Sequence, residues 1–187
     1  MTRTGKTAPR RDDPPAPATG KTPAAPAAMS DLRGAGPDLR ARALRLNRMH
    51  EAETSPLRAE DLEAMCAAAF AAPAFGDGTG FLIAFDEGAA YDSPNFRWFK
   101  ARYPAFVYVD RVIVDPAARG RGLARRLYAA LYDATRASGR SLIACEVNVA
   151  PPNPASLAFH AREGFDAVGE GAFLPGKRVA YMLRRLP

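Results

Sequence analysis

The chain has 187 residues, 48% of them hydrophobic, with a formal charge of +6 at neutral pH and a sequence pI near 9.7. This length suits one buried domain, and no apolar run approaches the roughly 20 residues that span a bilayer, so a cytoplasmic protein without a membrane partner is expected. The basic surface would attract anions of any kind, but acidic residues are interleaved with it and no aromatics alternate with the basic residues, which argues against nucleic acid.

Residues 1–28 are rich in Pro, Ala, Thr and Lys and nearly devoid of large apolar side chains. Such a stretch cannot bury enough surface to offset its ordering entropy, so a disordered tail is expected before a domain over 29–187. Met29 stands at that junction as a candidate start of translation. Ser30–Arg33 reads as a short opening strand. Leucines and Met49 recur at helical spacing from Pro37 to His50, and Glu60–Ala72 repeats the pattern through Leu62, Met65, Cys66 and Phe70. His50, beside Glu51 at the end of the first helix, is given no role.

Phe75-Gly76-Asp77-Gly78 is a turn signal before the apolar run Phe81–Phe85, which together predict a strand pair. Asp86–Pro104 reads as a long loop holding Tyr91, Asn95, Phe96, Trp98, Phe99 and Tyr103, whose rings either line a binding site or cover the core. Phe106–Val114 is a strand closed by Asp115-Pro116. Arg119-Gly120-Arg121-Gly122 opens a helix with Leu123, Leu127, Leu131 and Ala134 on one face, and Gly139 closes it. Leu142–Val147 is a further strand, Asn153-Pro154 starts a helix to about Glu163, and Phe165–Val168 and Arg178–Leu183 complete the sheet. This order predicts an α/β (α+β) domain with a mixed sheet. Cys66 and Cys145 lie in apolar sequence without metal-ligand spacing, so reduced buried thiols and no metal are expected.

The segment most suggestive of chemistry is the turn at Gly120 and Gly122. A strand that enters a two-glycine turn and then a helix presents free N–H groups at the positive end of the helix dipole, a site for phosphate oxygens. Glycine leaves room for a pyrophosphate against the backbone, and Arg119, Arg121, Arg125 and Arg126 add charge. The signal alone is moderate, since it matches neither a P-loop nor a dinucleotide fingerprint.

The surrounding sequence, VDRVIVDPAARGRGLARRL, resembles the cofactor segment of the GNAT acetyltransferases. There Gln or Arg is followed at fixed spacing by Gly and then by Gly or Ala, places held here by Arg119, Gly122 and Ala124. A second block, NPASLAFHAREGF from Asn153 to Phe165, resembles the family's later helix. The link Asn148–Asn153 and the segment YDSPNFRWF are similar to a bacterial branch of the same superfamily. The resemblance implies a GNAT fold, a mixed twisted central sheet flanked by about four helices.

It further implies transfer of an acetyl group from acetyl-CoA to a primary amine, on a small molecule or a protein amino terminus, by direct attack. The backbone of Val112, Ile113 and Val114 would hold the pantetheine arm. Arg119 and the amides of Gly120, Arg121, Gly122, Leu123, Ala124 and Arg125 would hold the pyrophosphate, and Asn153 and Ser156 would touch CoA from the other side. Without the resemblance, Asn153 is an ordinary N-cap and Val112–Val114 an ordinary buried strand.

For catalysis, Glu146 is the first candidate base, at a place where some family members carry a Glu, and Asp110 is the second. The plain alternative for Glu146 is an exposed edge or a salt bridge. His160 stands where the family usually has Tyr, and it serves as the acid, contacts the CoA sulfur or packs. A non-catalytic acyl-CoA binding module is the competing reading. The acceptor remains open, as does a homodimer.

Overall fold

The structure, a computed structural model, describes residues 27–187. The tail expected over 1–28 therefore lies outside the described residues, apart from Ala27 and Ala28. Among the described residues, seven strands form one sheet in the order β1-β2-β3-β4-β5-β7-β6. They are β1 (Met29–Asp31), β2 (Pro73–Phe75), β3 (Gly80–Asp86), β4 (Val107–Val114), β5 (Leu142–Ala150), β6 (Asp166–Leu174) and β7 (Lys177–Arg185). Every neighbouring pair is antiparallel except β4 and β5, which run parallel. The helices are α1 (Pro37–Arg48), α2 (Ala59–Ala68), α3 (Pro94–Lys100), α4 (Leu123–Ala137) and α5 (Pro154–Arg162).

Strand alternation divides the core between the two faces of the sheet. Phe81, Ile83, Phe85, Tyr108 and Tyr181 point to the side of α1, α2 and α3, where Leu46, Leu62, Met65, Phe96 and Phe99 meet them. Leu82, Ala84, Val107, Val109, Ile143 and Cys145 point to the other side, against Leu123, Leu127, Tyr128 and Leu131 of α4. Both cysteines are buried free thiols.

The aromatic loop expected over Asp86–Pro104 contains a helix, α3, so the described residues hold five helices where about four were expected. Ser93 caps it by accepting from the Phe96 amide at 3.5 Å, and Pro94 occupies the first turn. A seven-residue helix is marginal alone, but Phe96 and Phe99 are almost wholly buried, and each such side chain contributes roughly 2 kcal/mol. Two smaller differences have similar local causes. The opening strand ends at Asp31 because its carboxylate caps a 3-10 turn at Leu32–Gly34. The second helix stops at Ala68 because Ala71 pairs with Ala84 and Pro73 begins β2.

Candidate active site

The parallel β4–β5 pair is in register only from Val107 to Val109 against Ile143 to Cys145. Both strands continue, to Val114 and Ala150, without pairing further. The sheet is thus opened from Asp110 onward, and one edge of β4 keeps backbone groups free for an extended ligand. Its other edge stays paired with β3 as far as Val114.

A β-bulge lies at the point of divergence. Ile83 pairs with Arg111 and Ala84 with Val109, which leaves Asp110 as the extra residue. The bulge shifts the alternation, so that Asp110 and Arg111 both turn toward α1 and α3. Tyr91 donates to Asp110 Oδ1, and Arg111 Nε donates to Asp110 Oδ2 at 2.6 Å. Arg111 Nη1 donates to Asn47 Oδ1, also at 2.6 Å. Asp110, the second candidate base, therefore has both carboxylate oxygens engaged.

Glu146 lies across the opening on β5, on the same face. It is neither on an edge strand nor in a salt bridge. The Tyr108 hydroxyl donates to Oε2 at 2.6 Å and Asn95 Nδ2 donates to Oε1 at 2.9 Å. The Tyr181 hydroxyl donates to Asn95 Oδ1 at 3.1 Å, which turns the amide so that its N–H faces the carboxylate. Two neutral donors do not offset loss of water, and with Asp110 nearby, burial pushes the Glu146 carboxyl up to about 7. Tyr181 occupies space left by the glycines of β6. A Cβ at Gly171 would overlap its hydroxyl, and a Cβ at Gly169 would lie 2.9 Å from Trp98, whose ring stacks on Tyr181 at 4.2 Å.

His160 projects from α5 and is 3% exposed. Its Nδ1 lies 2.8 Å from the Ser156 carbonyl oxygen, which can only accept, so that nitrogen carries the proton. Nε2, 2.7 Å from the Tyr128 hydroxyl, then accepts from it. Burial lowers the imidazole pKa further and keeps the ring neutral.

Three cavities follow the opened strand. One of ≈ 300 Å³ is lined by Val112, Ile113, Val114, Asn153, Ser156 and His160 among others. It continues through Val114, Arg119 and Ala124 into a second, of ≈ 280 Å³, at the N-terminus of α4, which includes Gly120, Gly122, Leu123 and Arg125. Gly120 and Gly122 have φ near +74° and +73°, left-handed values that glycine tolerates, and a Cβ at either would meet only open space. That open space lies where the first-turn amides of α4 point. Arg125 spans to Glu163 at 2.9 Å, while Arg121 lies exposed in the turn. Asn153 caps α5, its Oδ1 accepting from the Ser156 amide at 3.1 Å. The third cavity, of ≈ 110 Å³, contains Glu146, Asp110, Tyr128 and His160 and meets the first at Glu53, Thr54, Val112, Asn153, Ser156 and His160. It joins the two faces of the sheet through the β4–β5 opening, which is how Glu146 on one face and Tyr128 on the other come to share it.

A strand edge left free beside an open helix N-terminus is a cradle for an extended, phosphate-bearing molecule. The model of the acetyltransferase (GNAT) family matches residues 46–165. The chain belongs to the GNAT acetyltransferase family. Members take their acetyl group from acetyl-CoA, and the free β4 edge and glycine turn fit that molecule.

Phosphinothricin N-acetyltransferase of Streptomyces coelicolor is 47% identical over 58 residues, 31% of this chain and 33% of that protein, so the match spans about a third of the curated relative. Among solved structures, Ard1 from Thermoplasma volcanium is 13% identical with a TM-score of 0.66, covering 86% of this chain and 97% of that one. YncA from Salmonella typhimurium, solved with acetyl-CoA, is 19% identical with a TM-score of 0.60, covering 86% and 94%. These two likenesses concern the fold. Among the described residues, no group of three or more His, Cys, Asp or Glu is placed to hold a metal ion, and no helix is long and apolar enough to cross a membrane.

Sequence reasoning missed Tyr108, Tyr128 and Tyr181 as parts of this site, and it named Asn95 only as a member of the aromatic loop. Ser93-Pro94 was a usable signal for Asn95, because Ser followed by Pro marks a helix start and would have placed Asn95 in a first turn. Nothing local to Tyr128 points to His160, since the contact joins two helices.

Proposed function

We propose that the chain is an acetyl-CoA-dependent N-acetyltransferase in which Glu146 accepts the proton of the attacking amine. The observation that carries this reading is the setting of Glu146, a half-buried carboxyl with no cationic partner among the described residues, held by two neutral donors beside the strand opening. A pKa near 7 lets it accept a proton at neutral pH and release it again. Asp110, already engaged by Tyr91 and Arg111, is the weaker candidate.

Acetyl-CoA supplies the acetyl group as an activated thioester. Around it, Val112–Val114 would pair with the pantetheine arm, and the turn from Arg119 through Gly122 to the first amides of α4, with Asn153 and Ser156 opposite, would hold the phosphates and the arm. The departing sulfur needs a proton. Tyr128, whose hydroxyl borders the Glu146 cavity, would give its own O–H proton to the sulfur and regain one from solvent, while His160, its Nδ1–H committed to the Ser156 carbonyl, would position that hydroxyl through Nε2. Burial raises the proton affinity of the phenol. It also raises that of a thiolate released into the same apolar surroundings, so the proton can still move to sulfur.

The acceptor is a primary amine, and the small cavity beside Glu146, together with the match to phosphinothricin N-acetyltransferase, favours a small molecule over a protein amino terminus. The test is thermal unfolding with and without acetyl-CoA, followed by thiol release with a panel of amines. A ligand at about 100 times its Kd adds roughly 2.7 kcal/mol, so a clear rise in Tm is expected. No rise at millimolar acetyl-CoA would overturn the cofactor assignment, and a rise without thiol release from any amine would leave a binding module.

A further inference from the structure

We infer that the acceptor amine also carries an anionic group, as a free amino acid does, and that Lys177 receives that group. The inference rests on the transferase reading above and names the substrate class of the same site.

The charged side chains lining the small cavity are Glu53, Asp110, Arg111, Glu146 and Lys177. Three of these do not call for a ligand. Asp110 and Arg111 neutralise each other at 2.6 Å, and Arg111 reaches on to Asn47. Glu53 has a side chain 48% exposed, so water screens its charge. Two charges remain uncompensated. Glu146 has only neutral donors, and the half-buried Lys177 side chain takes part in no ion pair or hydrogen bond among the described residues. One cavity therefore offers a carboxylate for an ammonium group and an ammonium for an anion.

The strand register places these two groups for one ligand. Glu146 pairs directly with Tyr181, and alternation along β7 puts Tyr181, Val179 and Lys177 on the same face of the sheet. Four residue steps along the strand lead from Lys177 to Tyr181, roughly 13 Å between backbones. Both side chains line the same cavity, where a short bifunctional molecule would bridge them. A protein amino terminus would not satisfy Lys177 in this way, because its α-carboxyl is a neutral amide. The partly shielded cavity strengthens the attraction relative to open water, so removing the anion should weaken the acceptor by at least about tenfold.

The experiment compares kcat/KM, by thiol release from acetyl-CoA, for free L-amino acids and their matching carboxamides, with the full chain and its Lys177→Met and Lys177→Arg variants. Parallel Tm measurements with each compound report binding independently of turnover. The expected result is a preference of about tenfold or more for at least one free acid over its carboxamide, lost in Lys177→Met, retained in Lys177→Arg and reduced by salt. Equal turnover of acids and carboxamides, or a preference that survives Lys177→Met, overturns the inference and leaves the transferase reading standing. If acetyl-CoA raises Tm but no amine releases thiol and no amino acid shifts Tm, both fall.

Discussion

Asn95 donates to Glu146 Oε1 at 2.9 Å while its own side-chain oxygen accepts from the Tyr181 hydroxyl at 3.1 Å. The amide is thereby locked in one orientation, and Glu146 receives an N–H rather than a carbonyl. Asn95→Asp would replace that donor with a second carboxylate of nearly the same shape. Like charges at hydrogen-bond distance favour the protonated form, so the acidic limb of the kcat/KM profile should move up by about one pH unit or more. A profile that keeps its midpoint would mean that Glu146 does not govern the limb.

Glu146→Gln should lower kcat by about 100-fold or more while leaving CoA affinity near normal, because it removes the proposed base without touching the cleft proposed for the donor. The same change should affect stability with a defined sign. The folded carboxyl titrates near 7, above its usual value of 4.5, so the folded state binds the proton more tightly than the unfolded chain. Ionising Glu146 therefore costs stability as pH rises from about 4.5 to 7, and the full cost is present above 7. Glu146→Gln should raise stability at pH 8 by on the order of 1–3 kcal/mol, read as a higher Tm, and the gain should shrink towards pH 5. Equal Tm differences at both pH values would contradict the raised carboxyl.

Gly122→Glu should weaken CoA binding by about 100-fold or more, since it forces a side chain onto a left-handed residue and puts a negative charge at the anion end of α4. Calorimetry with CoA checks this. Unchanged affinity would remove the helix end from the donor site.

Glu87 lies far from the chemistry and reports on acid stability. Arg140 donates to it at 2.7 and 2.9 Å and holds its carboxyl down to about 2, from a usual 4.5. The pair's stabilisation is complete above about 4.5 and is lost as pH falls through 2, when the folded carboxyl is protonated. Partial exposure screens it, leaving on the order of 1–2 kcal/mol. Glu87→Gln should flatten the fall in Tm between pH 4.5 and 2, and a parallel fall in both proteins would assign acid unfolding to other carboxylates.

The sequence disclosed the glycine turn and the strand before it more fully than the surroundings of Glu146, for a physical reason. Gly120, Gly122 and the strand before them form one contiguous segment, so the local pattern already contains most of the geometry. Glu146 was conspicuous because a carboxylate in an apolar strand needs an explanation. Its supports were hidden, because Asn95, Tyr108 and Tyr181 come from one helix and two other strands and meet only through sheet register. The bulge at Asp110 was hidden too, since it appears only when β4 is laid against β3. The seven-residue α3 was read as loop because its helix is held by Phe96 and Phe99 in the core rather than by its own length.

The short β4–β5 register also has a mechanical meaning. Strands β1 to β4 form one leaf of the sheet and β5 to β7 the other, bound along a spine of three residue pairs, Val107–Val109 against Ile143–Cys145. A pantetheine arm lying along β4 would extend that spine by supplying bonds that the chain leaves open, so the donor would stiffen the joint between the leaves. Amide exchange in the distal halves of β4 and β5 should then slow when CoA binds, while β6 and β7, already paired along their length, should change little.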